Sequence, residues 1–268
     1  MPRSDTPSCP SATPVTGIPH DMHPEEWSAR VELAGCYRLF AMLGWTELIY
    51  NHITLRLPAT VTGSEIQFLI NPFGLHYNEV CASNLVRIDA QGRILDASAH
   101  PVNPAGFTLH AAIHAGIEDA HCIMHTHTTA GVAVASLDAG LLQSNFYTAQ
   151  LDGMVASHDF EGITVHDDEG PRIVRSIGGR PAVILRNHGL LAWGRSIPQA
   201  FAFLWTLQRA CEIQLATMSM GAPRLIPAAV AHKSTQDTLT FNPGHWRGEL
   251  VFQALMRQVD RLDAGYRN

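Results

Sequence analysis

Apolar positions along the chain recur first at helical spacing. Between residues 24 and 43, Val31, Leu33, Ala34, Tyr37, Leu39 and Phe40 carry that period. Pro24 with Glu25 and Glu26 suits a first turn, and Gly44 supplies the stop. The period then shortens. Alternating or apolar runs at 52–57, 66–70 and 86–89 predict strands, and the turn formers Pro58, Gly63, Pro72-Phe73-Gly74 and Gln91-Gly92 predict antiparallel hairpins. Residues 107–115 predict a helix leading into an apolar strand that ends at His125 and His127, with another helix from 129 to 138. Short strands are predicted at 162–166 and 182–186, and a long amphipathic helix at 197–218. Residues 221–244 read mostly as loop, and a terminal helix is expected from 246 to about 262. Residues 1–23 form the expected disordered tail, with 24–268 as one domain whose C-terminal loop and helix begin at about 221. Residues 1–19 are rich in Pro, Ser and Thr without an apolar segment, unlike a signal peptide.

Composition narrows the class. A chain of 268 residues with 46% hydrophobic content can bury a full core. Its net charge of -6 and pI near 6.2 argue against nucleic-acid or anionic-membrane partners, which call for basic clusters. A small-molecule substrate fits better. The five cysteines, Cys9, Cys36, Cys81, Cys122 and Cys211, are scattered and never in a CxxC pair, so a reducing, cytoplasmic setting is expected. No stretch approaches the roughly 20 apolar residues that span a bilayer.

The chemistry concentrates at strand ends. His125 and His127 are two apart, so they share a face of one strand, and His188 follows a second apolar run, Val183-Ile184-Leu185. Three imidazoles with an open fourth position suit a catalytic divalent metal more than a closed structural one. His110 and His114 lie one helical turn apart with no acid of the HExxH kind between them, and read as packing or supporting residues. His52 and His158 sit in turn-like contexts beside Asn51 and Asp159, open to substrate or proton-transfer roles and not expected to bind the metal.

The segments Tyr50-Asn51-His52-Ile53-Thr54-Leu55-Arg56, Asn71-Pro72-Phe73-Gly74, His125-Thr126-His127 and Arg186-Asn187-His188-Gly189 together resemble the class II aldolase and adducin family over roughly residues 25 to 220. The wording of Asn103-Pro104-Ala105-Gly106-Phe107-Thr108 and Ala210-Cys211-Glu212-Ile213-Gln214 is similar to the adducin head branch. The resemblance implies an α/β fold, a three-layer α/β/α sandwich around a large, mainly antiparallel central sheet. It also implies a homotetramer and a divalent cation on His125, His127 and His188, zinc foremost, with Fe(II), Mn or Co able to replace it.

One departure limits the analogy. The family's proton-transferring acid, nineteen residues before the first histidine of the pair, falls on Gly106. Its phosphate-holding hydroxyls fall on Pro104 and Ala105, and the one before Gly74 is Phe73. Only Asn51 and Gly74 keep the substrate-binding pattern. A dianionic phosphate needs several donors to offset its desolvation, so a non-phosphorylated substrate is expected. Proton transfer then needs a substitute: Tyr147, near where the family's tyrosine falls and equally readable as a packing residue, His158, or a metal-bound hydroxide.

The expected function is a metal-dependent lyase, breaking a carbon–carbon bond of a small non-phosphorylated carbonyl or hydroxy compound through a metal-stabilised enolate. Two alternatives stand beside it: a non-haem iron oxygenase acting on an aromatic 2-oxo acid, and a non-catalytic, adducin-like self-associating module.

Overall fold

The computed structural model describes residues 18–163 and 167–268. The chain divides into two compact units, one of residues up to 107 with 253–268, the other of residues 108–252.

The first unit is built on the helix α1 (Pro24–Leu43). His23 caps it by accepting from the Glu25 N–H at 3.2 Å, Pro24 occupies its first turn, and Gly44 closes it at φ +75°. β1 (His52–Arg56), the short α2 (Ala59–Thr62), β2 (Gln67–Ile70) and β3 (Val86–Asp89) follow. β2 pairs antiparallel with both β1 and β3, in register Leu55↔Leu69 and Phe68↔Ile88. Phe68, Ile70, Val86 and Ile88 bury together beneath Phe107. Tyr37, fully buried on α1, ties the strand ends: its hydroxyl accepts from the N–H groups of Ile53 (2.9 Å) and Asn71 (3.2 Å) and donates to the Ile53 carbonyl (2.5 Å). The stretches holding Asn51 and Gly74 are thereby anchored to one helix.

In the second unit, α3 (Pro104–Gly116) enters from the boundary, followed by β4 (Cys122–Thr126), α4 (Thr129–Ala135), α5 (Phe146–Gln150), β5 (Val155–His158), α6 (Gly170–Ile177), β6 (Ala182–Leu185), β7 (Gly189–Gly194), α7 (Ile197–Met220) and α8 (Ala228–Phe241), while most of α9 (Glu249–Leu262) belongs to the first unit. The strands order β4-β7-β6-β5. β7 is antiparallel to β4 and β6, whereas β5 and β6 are parallel and joined through α6, because a parallel pair needs a crossover. Ile123, Leu191, Val183, Leu185 and Ala156 point to one face and pack with Leu109 and Ile113 of α3 and Ile173 and Ile177 of α6. The alternate residues, Leu190 and Ala192 among them, face the other way, where α7 and α4 cover β7. Since β4, β5 and β6 all run in one direction, their C-terminal ends gather at one end of the sheet.

Several expectations change. Residues 228–241 are the helix α8, not loop, packed on α5 with the Thr235 hydroxyl donating to the Ala149 carbonyl at 2.9 Å. His158 is in a strand, β5, rather than a turn, and His52 opens β1. Of the strand expected at 162–166, Gly162 and Ile163 are bends, and 164–166 lie outside the described residues, as do residues 1–17 of the expected tail. α5, α6 and β7 were not anticipated. No helix among the described residues is long and apolar enough to cross a membrane.

Candidate metal centre

His125 is the fourth residue of β4, and His127 lies one residue beyond its end. His188 comes from the turn between β6 and β7, where Leu185 pairs with Gly189 and Asn187 takes the left-handed conformation at φ +56°. The three rings converge: the centroids of His125 and His127 are 4.5 Å apart, and each is 4.8 Å from that of His188. One ring nitrogen from each lies within 4.8 Å of the others.

Their protonation is set locally. His125 Nδ1 donates to the Leu190 carbonyl at 2.9 Å, which leaves its Nε2 as a bare lone pair. That nitrogen is 2.6 Å from His127 Nε2, the separation of an N–H···N hydrogen bond with His127 donating. Two imidazoles on one tetrahedral zinc stand about 3.3 Å apart, given Zn–N bonds near 2.0–2.1 Å. Burial, then the neighbouring His188, pushes His127 down to about 4 from an ordinary 6.5, and burial lowers His188 also. Three mutually facing imidazoles, two of them held toward the neutral form by burial, are the donor set that a divalent cation of zinc type takes, so the residues fit such an ion.

A recess beside His188 is lined by Leu109, Phe160 and Leu185 and by His158, Glu169 and Arg186. The structure thus brings His158 into the surroundings of His188. Tyr147 is half-buried on α5, with its ring 5.6 Å from Trp205 of α7 and 5.4 Å from Phe146. In the other unit, buried Asn51 donates to the Trp45 carbonyl at 3.3 Å, and Gly74 turns the chain after β2 at φ +105°. Of the packing histidines, His114 is buried with Nδ1 donating to the Ala120 carbonyl at 2.5 Å. Glu169 was missed because only the β5–α6 fold brings it near His158, and Glu161, three residues after His158, was missed because no motif singled it out.

Gly106 is packed from outside as well as lacking an acid. A β-carbon there would stand 2.8 Å from Nδ1 and 2.9 Å from Cγ of His52, whose ring occupies that space.

A mainly antiparallel sheet between helices, with three histidines converging at its strand ends, defines a class of protein, and sequence comparison bears it out. Residues 31–215 match the class II aldolase and adducin N-terminal domain, and the chain belongs to the class II aldolase and adducin family. It is 39% identical to an aldolase II superfamily protein from Pseudomonas syringae of known crystal structure, covering 92% of this chain and 98% of that one with a TM-score of 0.84. The structure of L-fuculose 1-phosphate aldolase from Glaciozyma antarctica is 26% identical, covers 91% of this chain and 96% of that one, and has a TM-score of 0.76. Rat alpha-adducin is 44% identical over 252 residues, 89% of this chain but 33% of the adducin.

Proposed function

We propose that this chain is a metal-dependent, aldolase-like lyase whose substrate is a small non-phosphorylated carbonyl or hydroxy compound. His125, His127 and His188 are the residues that would hold a divalent cation, zinc in the first place and Fe(II), Mn or Co as substitutes. What carries the reading is the convergence of these three imidazoles at the ends of parallel-running strands. When bound, such a cation supplies Lewis-acid polarisation of a substrate oxygen.

The chain's own residues do the rest. His125 is aimed by its hydrogen bond to Leu190, so its lone pair needs no reorientation. Leu109, Phe160 and Leu185 give the recess beside His188 one apolar side. His158 and Tyr147 are the candidates for moving protons, and Asn51 and Gly74 for binding substrate. With Pro104, Ala105 and Phe73 at positions that offer no hydroxyl, a phosphate dianion is poorly matched. The named activity of the 26% identical relative, an L-fuculose 1-phosphate aldolase, supports the reaction class and not its phosphorylated substrate. A homotetramer in the cytoplasm completes the proposal.

The test is a turnover screen of zinc-loaded and chelator-stripped protein against hydroxy-acid, keto-acid and sugar substrates with and without phosphate, run with and without oxygen. Zinc-dependent, oxygen-independent cleavage of a non-phosphorylated compound is expected. Turnover that needs Fe(II) and consumes oxygen would replace the lyase with an oxygenase.

A further inference from the structure

The helix α4 is tied at both ends to neighbours of the three histidines. Its N-cap is Thr128, the residue after His127, whose hydroxyl oxygen accepts from the Gly131 N–H at 3.2 Å. At the other end the carbonyl of Ala135, its last residue, accepts at 3.0 Å from the backbone N–H of Asn187, the residue before His188. Between these ends Gly131 presses on β7: a β-carbon there would stand 2.8 Å from Cγ of Leu190, whose carbonyl receives His125 Nδ1. A shift of α4 would therefore pull on all three segments that carry the rings.

What holds α4 is a side chain from α7. The Thr128 hydroxyl donates its one hydrogen to Gln208 Oε1 at 2.6 Å, and both residues are buried, Thr128 at 6% exposure and Gln208 at 3%. Turned the other way, the amide would aim its carbonyl oxygen at the Glu212 carboxylate. As it stands, Nε2 donates to Glu212 Oε1 at 2.9 Å, and Arg209 meets the other carboxylate oxygen at 2.7 Å. Glu212 thus selects the amide orientation in which Gln208 offers Thr128 an acceptor. A buried hydroxyl hydrogen left without an acceptor costs the desolvation of that group, so Thr128 is held in place only while the carbonyl faces it.

We propose that α4 is the spacer that sets His127 against His188, and that Gln208 is the positioning residue that holds it, through Thr128, at the spacing a cation needs. Gln208 acts on the backbone that follows His127 and not by ligation. The inference deepens the metal-centre reading and rests on it. A packing role at position 208 would need only a side chain of glutamine's length. The positioning role needs an acceptor toward Thr128 and a complementary group toward Glu212, and that difference decides how the variants behave.

Zinc affinity of the full chain, measured by competition with a chromogenic chelator beside a thermal melt of each protein, tests this. Gln208→Met keeps the bulk and removes both hydrogen bonds, and should bind zinc about tenfold more weakly while still melting cooperatively. Gln208→Glu keeps an acceptor toward Thr128 but sets a carboxylate against Glu212, and should weaken binding likewise. Adding Glu212→Gln to that variant restores a donor opposite position 208 and should return most of the wild-type affinity. Should Gln208→Met not fold, the single and double variants built on Gln208→Glu decide alone. Gln208→Met binding zinc as the wild type does, or a double variant no better than Gln208→Glu, overturns this inference and leaves the histidine centre standing. A wild type that takes up no zinc overturns the centre and this inference with it.

Discussion

Gly189 lies directly against the carbonyl oxygen of Thr126: a β-carbon on residue 189 would overlap that oxygen and stand 3.1 Å from Cδ2 of His127. The β6–β7 turn can therefore bring His188 up to the end of β4 only with glycine after it. Gly189→Ala should push the turn away from His127, cost about 1–3 kcal/mol of stability as an overpacked site does, and lower zinc content. Urea unfolding and elemental analysis check both. A variant with wild-type stability and full zinc would show that the close approach is dispensable.

The ring of His52 fills the space over Gly106, so an acid placed there would meet that ring. Gly106→Glu is expected to destabilise the fold by an amount on the order of 1–3 kcal/mol, read as a lower melting temperature. Pairing it with His52→Ala should recover most of the loss. Thermal melts of the two single variants and the double variant test this, and additive losses would contradict it.

Burial holds His127 at about 4 against an ordinary 6.5. Between those values the unfolded chain binds a proton at this residue and the folded chain does not, so metal-free protein loses stability as pH falls through that window. Above 6.5 the residue contributes no slope. His188, lowered in the same sense, adds to the trend. Denaturant titrations of stripped protein across this range should show the decline, and His127→Gln should flatten it.

Two of the buried thiols, Cys36 and Cys211, are poor nucleophiles. Burial, with Glu212 nearby, raises Cys211 to about 12 from 9.0, which leaves about a thousandfold less thiolate at a given pH, and Cys36 is raised as well. Iodoacetamide at pH 8 should leave both unmodified in folded protein and label both once it is unfolded, as mass spectrometry of the peptides would show. Fast labelling of either in the native state would reopen thiol chemistry.

The sequence was readable where local rules act alone. α1 announces itself by Pro24, its acids and Gly44, and β1 to β3 by short runs between turn formers. The spacing of His125 and His127 at the end of an apolar run marked the centre before any coordinates did. α8 was hidden because Ala228–Phe241 is dotted with Ser and Thr and buries Ala231 and Thr235, so packing on α5 and not its periodicity makes it a helix. β7 escaped because Gly189 and Gly194 frame a short apolar run, and a three-residue turn with Asn187 left-handed folds it straight back on β6. Glu169 stands 11 residues from His158, a distance that only the β5–α6 crossover closes.

The convergence of His125, His127 and His188 is tested most directly by metal content, measured by elemental analysis on protein made without a histidine tag and on His125→Ala and His188→Ala. About one zinc per chain is expected in the wild type, with a loss of tenfold or more in affinity for each variant and folding retained. Variants that keep the wild-type stoichiometry and affinity would contradict the account.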